Sequence, residues 1–397
     1  MSSPGRIAMV TPGFPPQLGG VETMVGHLAD ELAHAGNPVT VYAQRPRGVT
    51  YPPTRDYEVY RFVDWVGHPE FPVAPGLLRQ LWRDAPAMSV LHAHSFHAAP
   101  AMMAATVPQV PLVFTPHFHA VGHTRLAELV HLAYDPLAKL LFRRATRVTC
   151  VSHAEADLLL QRYPNVESRL SVVPLAVDTH ALTTANPIDV DDPVVLVVGR
   201  LEPYKNVDLV VRAFAALHQK TRAAAGRNTR QGVRQGTRLH SRPDSRRDAR
   251  LVVCGGGSQV DPLRRLVAEL GMADRVDVLG PVSDANVRRW QATAHVTVSA
   301  STREAFGLVV LEGAVAGSRV IASDIPAHRE VRQLLGPDAE RITLVPIGEN
   351  GSRAAVGDLS DALENALGRA RPSRPVGRRF DWAGVAQEYA RIYAEVR

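Results

Sequence analysis

Residues 194–217 read VVLVVGRLEPYKNVDLVVRAFAAL. Val194–Val198 is a continuous apolar run, too short for a helix and without polar alternation, as in a strand covered on both faces. Gly199 and Pro203 break it, and Val207–Leu217 carries apolar residues at helical spacing. One strand, one loop and one helix therefore follow in order, and the loop Gly199–Asn206 leaves the carboxyl end of the strand. In an open parallel sheet that end is where ligands bind.

The same unit repeats along the chain. Strands are expected at Arg6–Val10, Val39–Tyr42, Val59–Phe62, Val90–Ala93, Leu112–Thr115, Arg147–Val151 and Ser171–Val173, then at Leu251–Cys254, Val276–Leu279, Val296–Ser299 and Val320–Ala322. Helical patterns fall between them, among them Val21–His34, Ala127–Arg144, Ala154–Arg162, Pro262–Leu270, Ala285–Ala292, Leu308–Ala316 and Ala327–Leu335. Strand–helix alternation of this kind predicts an α/β fold of two parallel sheets. The polar, Pro-bearing stretch 183–193 reads as a hinge between two Rossmann-like domains, 1–182 and 194–376.

The chain has 397 residues, 45 Lys and Arg, 39 Asp and Glu, and a net charge of +6. Nine Arg and one Lys against two Asp put +8 into residues 219–250, so the remainder carries −2. Residues 219–248 are polar and repetitive and read as a disordered basic insertion. They hold no aromatic for base stacking, which argues against nucleic acid. Two cysteines, Cys150 and Cys254, each end an apolar run and are expected to be buried thiols. Without a signal-peptide pattern or a bilayer-length apolar run, the expected location is cytoplasmic.

Glu304-Ala305-Phe306-Gly307-Leu308-Val309-Val310-Leu311-Glu312 sets two carboxylates on either side of a helix start. A helix N-terminus favours phosphate, and carboxylates accept hydrogen bonds from sugar hydroxyls. Phe306, Gly307 and Leu308, at that start, join the candidate ligand-binding residues. Arg200 and Lys205 supply fixed cations suited to a diphosphate leaving group. Gly19 and Gly20 allow backbone approach to phosphate or sugar where the first helix begins. His117 stands two residues past Thr115, the end of its strand, and suits a hydrogen bond to the reacting sugar. His94 and His119 are second choices. The spacing of His92, His94, His97, His117, His119 and His123 fits no zinc signature, and Asp189-x-Asp191 lies in the hinge, so no metal is expected.

Gly19-Gly20-Val21-Glu22, Thr115-Pro116-His117, Val173-Pro174-Leu175-Ala176-Val177-Asp178, Gly199-Arg200 with Lys205-Asn206, and Glu304 with Glu312 resemble, in order and spacing, the retaining GT-B glycosyltransferases of family 4. Leu175-Ala176 replaces the usual Asn-Gly, and Ala305 the usual Gly. The resemblance implies two Rossmann-like domains facing each other across a cleft. It implies an acceptor on the first, a nucleotide-diphosphate sugar (UDP- or GDP-sugar) on the second, and a closing helix in 377–397 that crosses back to the first. Arg200 and Lys205 would hold the diphosphate, Glu304 the sugar hydroxyls, Glu312 the ribose and His117 the sugar near its anomeric centre. Gly19 and Gly20 would lie against the donor phosphates, and no metal or other cofactor would be needed. The acceptor would be a small molecule or a lipid-linked hydroxyl. A lipid would place the protein at the inner face of the membrane, where the basic, amphipathic stretch Ala127–Arg147 could make peripheral contact. The alternatives are a glycoside phosphorylase of the same architecture and, in another class, an anion- or nucleic-acid-binding protein using the Arg-rich segment.

Overall fold

The computed structural model describes residues 5–17, 19–45, 51, 55–65, 74–96, 98–118, 125–235, 248–348, 353–372, 376 and 380–397. The chain divides into two compact units, Met1–Ala176 with Phe380–Arg397, and Val177–Arg379. Each is built on one parallel sheet.

In the first unit the strands are β1 (Arg6–Thr11), β2 (Val39–Arg45), β3 (Glu58–Val63), β4 (Met88–His94), β5 (Leu112–Thr115), β6 (Arg147–Cys150) and β7 (Leu170–Val172). Their order is β3-β2-β1-β4-β5-β6-β7. Helices α1 (Gly20–His34), α2 (Pro75–Asp84), α3 (Ala99–Ala105), α4 (Arg125–Arg144) and α5 (His153–Arg162) connect them. Ile7–Val10 and Val90–Ala93 are buried throughout, which is why they lack polar alternation.

The second unit holds the short helix α6 (Thr179–Thr184), then β8 (Val194–Val198), α7 (Val207–Gln235), β9 (Arg250–Cys254), α8 (Val260–Glu269), β10 (Val276–Gly280) and α9 (Asp284–Thr293). Next come β11 (Val296–Ser299), α10 (Leu308–Val315), β12 (Arg319–Ser323), α11 (Pro326–Leu334), β13 (Ile342–Val345) and α12 (Arg353–Leu367). The strand order is β10-β9-β8-β11-β12-β13. Val195, Val211, Phe214, Leu251, Val296 and Leu363 lie in one buried cluster. Beyond it, α13 (Trp382–Val396) packs on α1 of the first unit. There the hydroxyl of Tyr393 lies 2.7 Å from His92 Nδ1.

Three expectations differ from what is seen. The stretch 183–193 is not a free hinge: Thr183 and Thr184 close α6, the Ile188 N–H donates to Thr293 Oγ1 at 2.7 Å, and Arg275 pairs with Asp192 at 3.3 Å. These ties assign it to the second unit. The basic insertion is not disordered from Gln219, because α7 continues to Gln235. Ala, Arg, Lys and Gln in 219–235 are strong helix formers, so polar composition misled where propensity would not. Lys220 also reaches Asp361 on α12 at 2.7 Å. Residues 236–247 of that segment lie outside the described residues. Third, β13 was not anticipated, since ITLV is short and exposes Thr343 at the sheet edge.

Two glycines test this packing in opposite directions. Gly255, at φ +146°, brings its Cα so close to the Gly199 carbonyl that any Cβ would overlap that backbone, whereas Gly357 in α12 faces open space. Gly255→Ala should lower the thermal unfolding midpoint, while Gly357→Ala should stabilise by about 0.5–1 kcal/mol, both read by thermal and denaturant unfolding.

Candidate active site

β8 lies between β9 and β11, so the chain leaves it in one direction and returns on its other side. That is the switch point where an open parallel sheet binds ligands beyond its carboxyl ends. The loops Gly199–Asn206 and Ala300–Gly307 both emerge there. Asn206, left-handed at φ 49°, donates through Nδ2 to the carbonyl of Ala300 at 3.0 Å. The Thr302 N–H donates to the Tyr204 carbonyl at 3.0 Å. The two loops are thus fixed to each other, and Asn206 is a supporting residue whose type marked it for the left-handed turn.

Between them Lys205 Nζ donates to Glu304 Oε1 at 2.5 Å, each side chain about one-fifth exposed (21% and 20%). Arg200 is exposed and donates from Nη2 to Tyr204 Oη at 3.3 Å. One pocket is lined by Gly199, Arg200, Lys205, Ser299, Ser301 and Glu304. Desolvation pushes the Glu304 carboxyl upward. The charge of Lys205, then that of His328, with hydrogen bonds from Lys205 and Ser301, outweigh it and hold the pKa below the usual carboxylate value. Glu304 is therefore an anion at neutral pH, ready to accept hydrogen bonds.

Gly307 precedes α10 in the left-handed region at φ 100°. A Cβ there would stand 2.8 Å from His328 Cδ2. His328, on α11, is fully buried and its Nδ1 lies 2.9 Å from the Ser323 carbonyl. That carbonyl selects the tautomer with the proton on Nδ1. Sequence reading passed over His328, and only its place after a strand end could have flagged it. Phe306 is buried and Leu308 opens α10 half-buried. Glu312 is not among the residues lining the pocket. It accepts from Gln291 Nε2 of α9 at 2.9 Å, and desolvation raises its pKa against the lowering by that hydrogen bond.

In the first unit Gly19 caps α1 and Gly20 begins it. The Glu22 carboxylate lies against both Gly13 and Gly19, so a Cβ on either would have to push that side chain aside. His117 is left-handed at φ 50° and half-buried. Its ring stacks on that of His94 at 5.7 Å, and the His94 ring lies tilted by 41° against that of His92 at 4.0 Å. Burial, with His117 nearby, pushes His92 down to about 3, and burial drives His94 well below the ordinary imidazole value. Both are neutral rings. His119, a second choice for the site, lies outside the described residues, as do His97 and His123. Among the described residues no group of three or more His, Cys, Asp or Glu could hold a metal ion. Cys150 and Cys254 are buried, unpaired thiols.

Two family models cover most of this framework: Glycosyltransferase Family 4 matches residues 18–181, and Glycosyl transferases group 1 matches 179–333. The chain is 28% identical to D-inositol 3-phosphate glycosyltransferase of Acidothermus cellulolyticus, over 99% of this chain and 91% of that one. It is 24% identical to the phosphatidylinositol N-acetylglucosaminyltransferase GPI3 subunit of Saccharomyces cerevisiae, over 98% and 83%. Sucrose-phosphate synthase from Thermosynechococcus elongatus shares the fold with a TM-score of 0.66 at 18% identity, covering 98% of each chain. The fold is GT-B, two Rossmann-like units in one chain. The chain belongs to the family 4 glycosyltransferases, and it is a transferase enzyme.

The ion pair predicts a pH signature. In the wild type the carboxylate's contribution is complete above the unfolded value, about 4.3, and is lost as pH falls through the lowered folded value. Lys205→Met leaves Glu304 desolvated without its cation. It should destabilise by about 1–3 kcal/mol at pH 7, under the fully buried range because both groups keep some solvent. That deficit should shrink as pH falls and Glu304 takes a proton. Thermal unfolding of Lys205→Met, and of Lys205→Met with Glu304→Gln, measures both; the double variant should recover much of the loss.

Proposed function

We propose that this glycosyltransferase moves a sugar from a nucleoside-diphosphate donor, a UDP- or GDP-sugar, to a hydroxyl acceptor with retention at the anomeric carbon, and that it needs no metal. The observation that carries this reading is the Lys205–Glu304 pair at the sheet switch, an ammonium and a carboxylate fixed 2.5 Å apart beside the guanidinium of Arg200. Lys205 and Arg200 neutralise the departing diphosphate, whose charge grows as the glycosidic bond breaks, so their attraction is greatest in the transition state. Glu304 accepts hydrogen bonds from the donor sugar's hydroxyls and orients it. Glu312, one helical stretch further, takes the ribose hydroxyls.

His117 hydrogen-bonds the sugar near the anomeric centre, and the amides at Gly19 and Gly20 face the donor phosphates. Attack comes from the face that the diphosphate leaves. Its released oxygen takes the acceptor proton, the C–O bond to the acceptor forms, and no enzyme nucleophile is required.

Two relatives are named for inositol-bearing acceptors, which supports a polyol hydroxyl as the acceptor class. No described helix is long and apolar enough to cross a membrane. On α4, Leu137 and Leu140 are exposed beside Lys139 and Arg143, a pattern suited to peripheral contact with an anionic bilayer on the cytoplasmic side.

Nucleotide sugars screened for donor hydrolysis and thermal-shift stabilisation identify the donor. Proton NMR of the first-formed product should show the donor's own anomeric configuration, formed without added phosphate. Lys205→Ala and Glu304→Ala should each lower turnover by about 10²–10³, with circular dichroism unchanged. Turnover within about threefold of wild type would remove these residues from the site, being far short of that loss.

A further inference from the structure

His117 occupies a backbone conformation that a non-glycine residue holds only when its neighbours impose it. On one side the chain is tied into the sheet, since Thr115 closes β5 and the Phe96 N–H donates to the Pro116 carbonyl at 2.7 Å. On the other side stands Phe118, whose ring is buried edge-on against Phe96 at 5.1 Å. Its amide is held by a carboxylate from a different element: Phe118 N donates to Glu155 Oε1 at 2.5 Å.

Glu155 lies in the first turn of α5 and is 1% exposed. Ser152 caps that helix, its Oγ accepting from the Glu155 N–H at 2.9 Å. In a simple capping box the acidic side chain would turn back only on its own helix start. Here Oε2 takes the Val151 N–H at 2.6 Å, while Oε1 crosses to the loop after the neighbouring strand β5. One buried anion thus joins the start of α5 to the residue next to His117. Backbone amides and the helix N-terminus stabilise it.

We infer that Glu155 is a positioning residue for transfer, acting through the Phe118 amide to hold His117 in its left-handed conformation. The inference rests on the role proposed above for His117 at the donor sugar. Gln at 155 would keep the volume but turn an NH₂ towards one of two N–H donors, so one amide would lose its acceptor and the loop would relax. A displacement on the order of 1 Å at a reacting group costs up to about 10² in rate.

The experiment is a double-mutant cycle on turnover with saturating donor. Glu155→Gln should lower kcat by about 10- to 100-fold. In the His117→Ala background the same change should alter kcat by less than about twofold, since its effect passes through the missing imidazole. Ser152→Ala, which removes the cap but leaves the Phe118 amide held, should lower the unfolding midpoint while keeping kcat within about threefold. If Glu155→Gln does not fold, Glu155→Asp, which keeps the charge but shortens the reach to Phe118, enters the same cycle. Equal losses in both backgrounds, no loss from either Glu155 variant, or a Ser152→Ala loss as large as theirs would overturn the inference. If His117→Ala alone leaves kcat unchanged, the role of His117 fails first and the inference with it. An additive loss beside an impaired His117→Ala overturns only the positioning role.

Discussion

A parallel strand buried on both faces has no place for a charge except at its two ends, and it is the carboxyl end that faces a ligand. β8 is such a strand: Val194, Val195 and Leu196 are wholly buried, and the first cation the chain offers is Arg200. Because β9 lies on one side of β8 and β11 on the other, the loops from β8 and β11 diverge above the sheet. A crevice forms where backbone connections cannot fill it. Lys205 and Glu304 occupy that crevice from opposite loops. Their charges stand where they do because β8 and β11 beneath them carry none.

Such a pair costs desolvation on both sides, and geometry must repay it. The 2.5 Å contact does so, and the Asn206–Ala300 bond keeps the two loops from separating. A sugar and the diphosphate leaving it would find both charges already oriented, with little reorganisation left to occur at the moment of reaction. Arg200 differs. It is exposed and held only by a 3.3 Å bond to Tyr204, so it can adjust to a ligand as Lys205 cannot.

Much of this was legible in the sequence, and the exceptions share a cause. β8, β11 and β5 begin and end where the sequence pattern puts them, since burial keeps charge out of all three and leaves only the hydroxyls of Thr115, Thr297 and Ser299 among their apolar residues. β13 escaped because it lies at a sheet edge and mixes faces. The extension of α7 escaped because its stability comes from backbone propensity and from α12 alongside it, neither of which hydrophobic periodicity reports. At the site, the charged and glycine positions declared themselves through spacing. His328 and Glu155 did not, and Asn206 showed its turn but not its partner. Asn206 pairs with Ala300 and Glu155 with Phe118, partners distant in sequence, and no local pattern encodes such a pairing. His328 bonds Ser323 five residues earlier, but the Gly307 it packs against lies in the Ala300–Gly307 loop.

That distinction bears on how the two units carry function. In the second, the groups that would meet the donor are charged and partly exposed, and they are fixed mainly by one another. In the first, His117 is held by groups that would never meet a substrate: a neutral imidazole stack beneath it and a carboxylate anchored in the next helix. Burial forces this division. A histidine presented at a strand end cannot be supported by charges in the apolar layer below. Its support must come from uncharged rings, or from an anion whose lone pairs are already engaged by backbone amides. Glu155 satisfies that requirement, which explains how a carboxylate so deeply buried stands beside the candidate catalytic loop.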